Sequence, residues 1–138
     1  MKAKDLMIGD WFRFRYTIDG REIVRTFRIS QIENELGKYY VWGDGFGRMC
    51  YPERLEPIPI TLDVLKKNGF ENVGCEVYQC DVRPFYIWWE SDRSRLGIDI
   101  DNSFDKENFD QMLRIPVVYI HELQHALRLC GIDKEIVI

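Results

Sequence analysis

The segment Trp11–Gly20 reads WFRFRYTIDG, and it decides the fold of the N-terminal part of the chain. Apolar side chains at the even positions alternate with mostly polar ones at the odd positions, a pattern typical of a β-strand with one buried face. Asp19 and Gly20 then supply two residues that tolerate positive φ, as the two-residue type I′ turn requires. The segment therefore predicts a β-hairpin that turns at Asp19-Gly20.

The register of this hairpin follows from its two-residue turn. It places apolar side chains opposite each other at two positions, Phe12 with Phe27 and Tyr16 with Ile23. Between these two pairs, Phe14 faces Arg25, which is not a favourable pairing for a buried face. The hairpin is predicted in spite of this one poorly matched pair.

Further short strands are predicted up to residue 60. Residues 38–42 and 46–51 form a second candidate pair around Gly43–Gly45, and residues 55–60, with Pro57 and Pro59, fit only an edge strand or an extended segment. Five short strands in sixty residues predict a small SH3-like barrel or a bent antiparallel meander as an N-terminal lobe, residues 1–60.

Residues 61–138 predict a second lobe of mixed structure, and one core shared by the two lobes is the alternative. Thr61 is a suitable N-cap for a short helix over 62–68, and Asn68-Gly69 ends it. Three strands are expected over 73–78, 85–90 and 96–100, whereas residues 102–114 have no clear periodicity. Pro116 and Gly131 bracket a final amphipathic helix. The expected fold class is therefore α+β.

Composition limits the classes of function. The 138 residues are 46% hydrophobic, which suffices for a buried core, and the net charge of −4 does not suit a strongly basic nucleic-acid binder. Residues 1–30 nevertheless carry seven basic and four acidic side chains, a net charge of +3. Neither a signal peptide nor a membrane-spanning segment is visible, and four cysteines in such a chain are expected to be reduced thiols. We therefore expect a cytoplasmic protein.

The sequence His121-Glu122-Leu123-Gln124-His125 has the H-E-x-x-H pattern of zinc hydrolases. On a helix, His121 and His125 would bind the metal and Glu122 would act as general base. A catalytic zinc needs a third ligand, and Arg128 and Gly131 stand where the metzincin pattern has glycine and histidine. We therefore expect the two histidines to lie on the solvated polar face of the final helix, with no cofactor, and keep the zinc site as an alternative.

Two further metal sites are conceivable from spacing alone. Cys75 and Cys80 with the two histidines supply the ligand types of a structural zinc site, but an odd spacing directs the two thiols to opposite faces of a regular strand. Residues 99–110 place oxygen ligands at the spacing of a calcium loop, but Phe104 replaces the glycine that the loop needs. Buried cysteines and a solvated acidic loop are the expected outcomes.

A nucleic-acid surface is a second alternative, on the outward face of the first hairpin. That face combines an aromatic side chain with three arginines, namely Trp11, Arg13, Arg15 and Arg28. Aromatic and basic groups side by side are typical of surfaces that bind single strands. Glu22 on the same face reduces its positive charge.

The chain also resembles a group of short uncharacterised proteins from gut Bacteroidetes and their phages or mobile elements. The resemblance rests on LxxGDW at residues 6–11, on LEPIPIT and LxxNGF within 55–70, and on YxHxLQ at 119–124. It implies a small α+β protein with no assigned activity. In the group the position of His125 is often another polar residue, which implies that the second histidine is incidental.

Three hypotheses on function follow. The preferred one is a non-enzymatic interaction or accessory protein that binds an unidentified protein partner, and the resemblance implies an origin in a phage or mobile element. The alternatives are a zinc hydrolase that uses His121, Glu122 and His125, and a nucleic-acid-binding protein that uses the arginine face of the hairpin.

Overall fold

The computed structural model describes residues 2, 5–99 and 114–138. The chain divides into two compact units, Met1–Ile58 (unit 1) and Pro59–Ile138 (unit 2). Each unit contains one antiparallel sheet of five strands, and the two helices belong to unit 2. The prediction of an α+β fold is confirmed at this level. None of the helices in the described residues is long and apolar enough to cross a bilayer.

Unit 1 contains five strands and a short 3-10 turn. The strands are β1 (Trp11–Ile18), β2 (Arg21–Glu35), β3 (Lys38–Gly43), β4 (Met49–Cys50) and β5 (Leu55–Pro57), and the 3-10 turn Pro52–Arg54 precedes β5. The strand order is β4-β3-β2-β1-β5. Because β4 and β5 are the two edges, no closed barrel is formed by the described part of the chain.

The predicted hairpin is confirmed, including its register. Phe12 pairs with Phe27, Tyr16 with Ile23, and Phe14 with Arg25. Asp19 and Gly20 have φ of 49° and 74°, as the expected type I′ turn requires. The predicted strand 38–42 is confirmed as β3, whereas β4 covers only two residues of the expected 46–51 and β5 ends at Pro57, before the expected end at residue 60.

The core of unit 1 lies on the face of the sheet to which the even positions of β1 point. It consists of seven buried residues, Leu6, Phe12, Phe27, Ile29, Val41, Cys50 and Leu55. Phe14, Ile32 and Phe46 are partly buried against this core. Burial also raises the pKa of the Cys50 thiol to about 11, so that this cysteine stays protonated at neutral pH.

Unit 2 contains the second sheet and both helices. Its elements are α1 (Leu62–Lys67), β6 (Glu71–Gly74), β7 (Val77–Val82), β8 (Phe85–Glu90), β9 (Arg95–Asp99), β10 (Arg114–Pro116) and α2 (Ile120–Leu129). The sheet order is β10-β9-β8-β7-β6. Thr61 caps α1 as predicted, because its hydroxyl oxygen accepts a hydrogen bond of 3.3 Å from the backbone N–H of Val64.

One strand prediction in unit 2 is wrong. Residues 73–78 were expected to form one strand, but the turn of the β6–β7 hairpin lies inside this range, at Cys75 and Glu76. Both residues have positive φ, 50° and 60°, a conformation that their side chains do not favour. The sequence therefore carries no ordinary turn signal there. The expected strand 85–90 is confirmed, and the region 102–113 with most of the calcium-loop candidate lies outside the described residues.

The final helix differs from its prediction on the polar side. Its expected apolar residues Ile120, Leu123 and Leu127 are fully buried, but His121 and Gln124, which were expected to be solvated, are only 7% and 2% exposed. The side-chain amide of Gln124 donates to the carbonyl of Lys134 (2.9 Å) and accepts from the backbone N–H of Ile136 (2.7 Å). The backbone of the segment after the helix therefore forms the hydrogen bonds that the Gln124 side chain was expected to form with water.

Candidate functional site

The two histidines of α2 lie in contact with each other and with one tyrosine. The ring of His121 stacks on that of Tyr119, with centroids 5.9 Å apart and planes 16° apart. The rings of His121 and His125 meet edge to face at 5.7 Å. The helix thus brings the two imidazoles together, as the H-E-x-x-H spacing predicts, but within an aromatic contact rather than on a solvated face.

Glu122 stabilises the start of α2. Its Oε2 accepts hydrogen bonds from the backbone N–H groups of Val118 (2.8 Å) and Tyr119 (3.0 Å). The first N–H groups of a helix have no partner within the helix, and a glutamate three residues after the N-cap often binds back to the N-cap. The carboxylate proposed as a general base therefore has a structural role in this structure.

A metal site needs further ligands near these histidines. In residues 5–99 and 114–138, no group of three or more histidine, cysteine, aspartate and glutamate side chains is arranged to hold a metal ion. Cys75 is exposed at its hairpin turn, whereas Cys80 is buried with its Sγ 3.7 Å from the carbonyl oxygen of Asn68. The two thiols therefore do not face one common site.

The outward face of the first hairpin is largely engaged in contacts within the chain. Arg15 forms ion pairs with Glu22 (2.6 Å) and Glu56 (3.0 Å), and its hydrogen bond holds the pKa of Glu56 below its ordinary value. The Nε of Arg28 donates to the carbonyl of Gly9 (3.1 Å). Trp11 is opposite Arg28 in the register and half-buried. Arg13 is exposed and lies opposite Glu56 in the β1–β5 register, where its charge makes a smaller contribution to the lowered pKa of Glu56.

The opposite face of the same hairpin carries a cluster of four aromatic rings, which we call the aromatic cleft: Phe14, Tyr16, Phe27 and Phe46. Phe46 is its centre. Its ring stacks on Phe27 with centroids 5.1 Å apart, and it meets Phe14 edge to face at 5.6 Å and Tyr16 at 6.2 Å. Phe27 is buried, whereas the other three rings are half-buried. The cleft therefore presents part of its aromatic surface to solvent.

The loop between β3 and β4 is shaped to bring Phe46 onto this cluster. Gly43 closes β3 directly against Phe27, and a Cβ at this position would overlap the Phe27 ring. Gly45 has a φ of +68°, which favours glycine, and the backbone N–H of Arg48 bonds to the carbonyl of Phe46. Gly43 and Gly45 thus help to position Phe46.

Three arginines surround the aromatic cleft. The guanidinium of Arg48 lies over the ring of Tyr16, 5.6 Å from its centroid, and that of Arg54 lies over Phe14 at 6.0 Å. Arg25 is directly opposite Phe14 in the β1–β2 register. A cavity of about 470 Å³ is lined by two of these arginines, Arg25 and Arg48, together with Tyr16, Phe27 and Phe46 among others.

The three arginines around the aromatic cleft give it a positive charge. Among the described residues, none of Arg25, Arg48 and Arg54 forms an ion pair with an acidic side chain. All three are exposed. Asp44 at the rim is the acidic side chain in the lining of the cavity. The arrangement can hold a ligand that carries negative charge next to a flat apolar group.

One feature of the sequence points to this site. The pairing of Phe14 with Arg25 is unfavourable in a buried core, but it is expected at the border between a core and a binding surface. The contribution of Phe46 could not be seen in advance, because it depends on a loop that folds back over β1 and β2.

Comparisons of the chain with models of protein families, with curated proteins and with solved structures give no match.

Proposed function

We propose that the chain is a non-enzymatic interaction protein that binds an anionic ligand in the aromatic cleft of unit 1. The observation that carries the proposal is the convergence of Arg25, Arg48 and Arg54 on half-buried rings without an acidic partner in the described residues. Arg15 on the outward face of the hairpin, in contrast, is paired with Glu22 and Glu56.

The size and chemistry of the cavity support this proposal. Small-ligand sites have volumes of about 300–1,000 Å³ and combine apolar surface with a few polar groups. The cavity of about 470 Å³ falls in this range and combines aromatic walls with guanidinium groups. Guanidinium groups bind carboxylates and phosphates with paired hydrogen bonds, so the site suits an anion.

We also propose that unit 1 is a variant of the SH3-like barrel. The strand order β4-β3-β2-β1-β5, with a 3-10 turn before the last strand, supports this assignment. A β-bulge between Ile29 and Gln31 separates the half of β2 that pairs with β1 from the half that pairs with β3, and such bulges allow a sheet to bend. Because folds of this kind have many functions, the ligand must be argued from the site itself.

Titration of the full chain with inorganic tripolyphosphate, followed by NMR, tests the proposed anion site. We expect shifts of the Arg25, Arg48 and Arg54 side-chain Nε–H signals and of the backbone amides of Gly45–Arg48. A variant with Arg25→Gln, Arg48→Gln and Arg54→Gln should lose the response, whereas Arg13→Gln on the opposite face should keep it. Shifts centred on Arg13, or no shifts in the cleft, would contradict the proposal.

A further inference from the structure

We infer that the ligand of the aromatic cleft is single-stranded nucleic acid. This inference rests on the proposed function and specifies its ligand. It places the nucleic-acid contact on the core-side face of the first hairpin, which is the face opposite to the one that the sequence pattern indicated.

The site offers two kinds of contact at once, and a nucleotide strand uses both. The exposed parts of Tyr16, Phe14 and Phe46 offer apolar ring surface, while Arg25, Arg48 and Arg54 offer positive charge beside it. Single-strand-binding sites combine aromatic side chains, on which bases stack, with basic groups that follow the phosphates. Arginine planes near aromatic rings add further stacking surfaces for bases.

Other classes of ligand match fewer of these groups. A cationic ligand would be repelled by the positive charge of Arg25, Arg48 and Arg54, which lie beside the rings. An acidic peptide would pair with the arginines but would leave the ring surface without a flat partner. In a duplex the bases are stacked on each other and cannot reach the rings, so a single strand is favoured.

The outward face of the hairpin lacks this combination. Arg15 is paired with Glu22 and Glu56, and the side chain of Arg28 is bonded to the carbonyl of Gly9. The two carboxylates compensate the positive charge of Arg15 and would repel a phosphate next to it. Arg13 remains as an exposed arginine on that face, which makes it a matched control for the three arginines of the cleft.

Fluorescence anisotropy of the full chain with labelled oligouridine and oligothymidine of about ten nucleotides tests the inference. We expect both single strands to bind more tightly than a duplex of the same length. Three arginine contacts predict a slope of log K against log salt of about −2, since each contact to a single strand contributes about −0.7. The triple arginine variant should abolish binding, and Arg13→Gln should change neither affinity nor slope.

The rings are tested by a second pair of variants. Tyr16→Leu should weaken binding about tenfold through the loss of base stacking, whereas Tyr16→Phe should bind like the wild type. Asp44→Asn should strengthen binding, because it removes an acidic group from the rim. Circular dichroism of each variant shows whether the fold is retained. Tyr16→Phe keeps the ring and removes only the hydroxyl, so weakened binding in this variant would contradict a role of the ring even if Tyr16→Leu does not fold.

The remaining outcomes separate this inference from the proposed function. Tripolyphosphate shifts in the cleft without oligonucleotide binding would overturn the inference and leave the anion site in place. Equal binding of a polyglutamate peptide and of the oligonucleotides, insensitive to Tyr16→Leu, would overturn it in favour of an acidic protein partner. A failure of both tripolyphosphate and oligonucleotides to bind would remove both proposals.

Discussion

Gly43 lies where β3 meets the loop that carries Phe46, and no larger residue fits there. A Cβ at Gly43 would overlap the ring of Phe27, which in turn stacks on Phe46. The same loop contains Gly47, where a Cβ would have no atom within 4 Å and φ is not positive. Packing against Phe27 therefore requires glycine at position 43, whereas the space around Gly47 would accept a Cβ.

The substitution Gly43→Ala is expected to destabilise the protein by about 1–3 kcal/mol, because the added methyl group forces Phe27 out of its place in the core. Gly47→Ala is the matched control and should be neutral or stabilising by up to about 1 kcal/mol, since alanine restricts the unfolded chain. Urea unfolding measures both changes. Equal stability of the two variants would show that Phe27 can move aside for a Cβ at Gly43 without cost.

At the level of single elements, the sequence correctly predicted the structures that depend on neighbouring residues. The first hairpin, its register and its turn followed from alternation and from Asp19-Gly20, and the start of α1 followed from Thr61. The β6–β7 turn was missed because Cys75 and Glu76 adopt positive φ without glycine or asparagine. Alternation of apolar residues gives the ends of a strand only where the adjoining turn also contains residues typical of turns.

The helix α2 shows why the burial of its polar side was not predicted from the sequence. A helical projection separates apolar from polar residues, but it does not show which other segment covers the polar side. Gln124 is bonded to residues 134 and 136, and His121 is buried, so the polar side is largely internal. The aromatic cleft was missed for a similar reason, because it forms only when the β3–β4 loop folds over the hairpin.

The role of Glu122 in α2 can be separated from a catalytic role by two substitutions. Glu122→Ala removes the acceptor for the backbone N–H groups of Val118 and Tyr119 and should cost about 1 kcal/mol. Glu122→Gln keeps an acceptor oxygen and should cost less than half as much. Thermal unfolding at neutral pH measures both. A loss in Glu122→Gln as large as in Glu122→Ala would indicate that the charge, and not the cap, is what matters.

At the scale of the whole molecule, both units are completed by a segment that returns over a long sequence distance. In unit 1, β5 pairs with β1, so that Pro57 is opposite Phe12. In unit 2, the amide of Asn68 donates to the carbonyl of Val137 (2.7 Å) and accepts from its N–H (2.9 Å). Such pairings have no local signature, which is why the sequence indicated hairpins and helices but not how each unit is closed.

The segment 132–138 should therefore be essential for the stability of unit 2. It buries Ile132 and Ile136, which are 3% and 2% exposed, and each such side chain contributes about 1.5–3 kcal/mol. Its loss also removes the hydrogen bonds between the amides of Asn68 and Gln124 and the backbone of residues 134, 136 and 137. Truncation after Gly131 is thus expected to remove about 3–6 kcal/mol, a large part of the roughly 5–15 kcal/mol that stabilises a typical domain.

Hydrogen exchange followed by mass spectrometry measures this effect within each unit. In the truncated chain, α2 and the sheet of unit 2 should lose protection, because the buried polar groups of Asn68 and Gln124 would be exposed to water or left unsatisfied. Val137→Ala is the matched control: its side chain is 49% exposed, and its backbone bonds to Asn68 are kept, so the change should stay within about 0.5 kcal/mol. Unchanged protection of α2 after truncation would mean that the helix is held by its apolar side alone, and that the amide contacts of the final segment only order that segment.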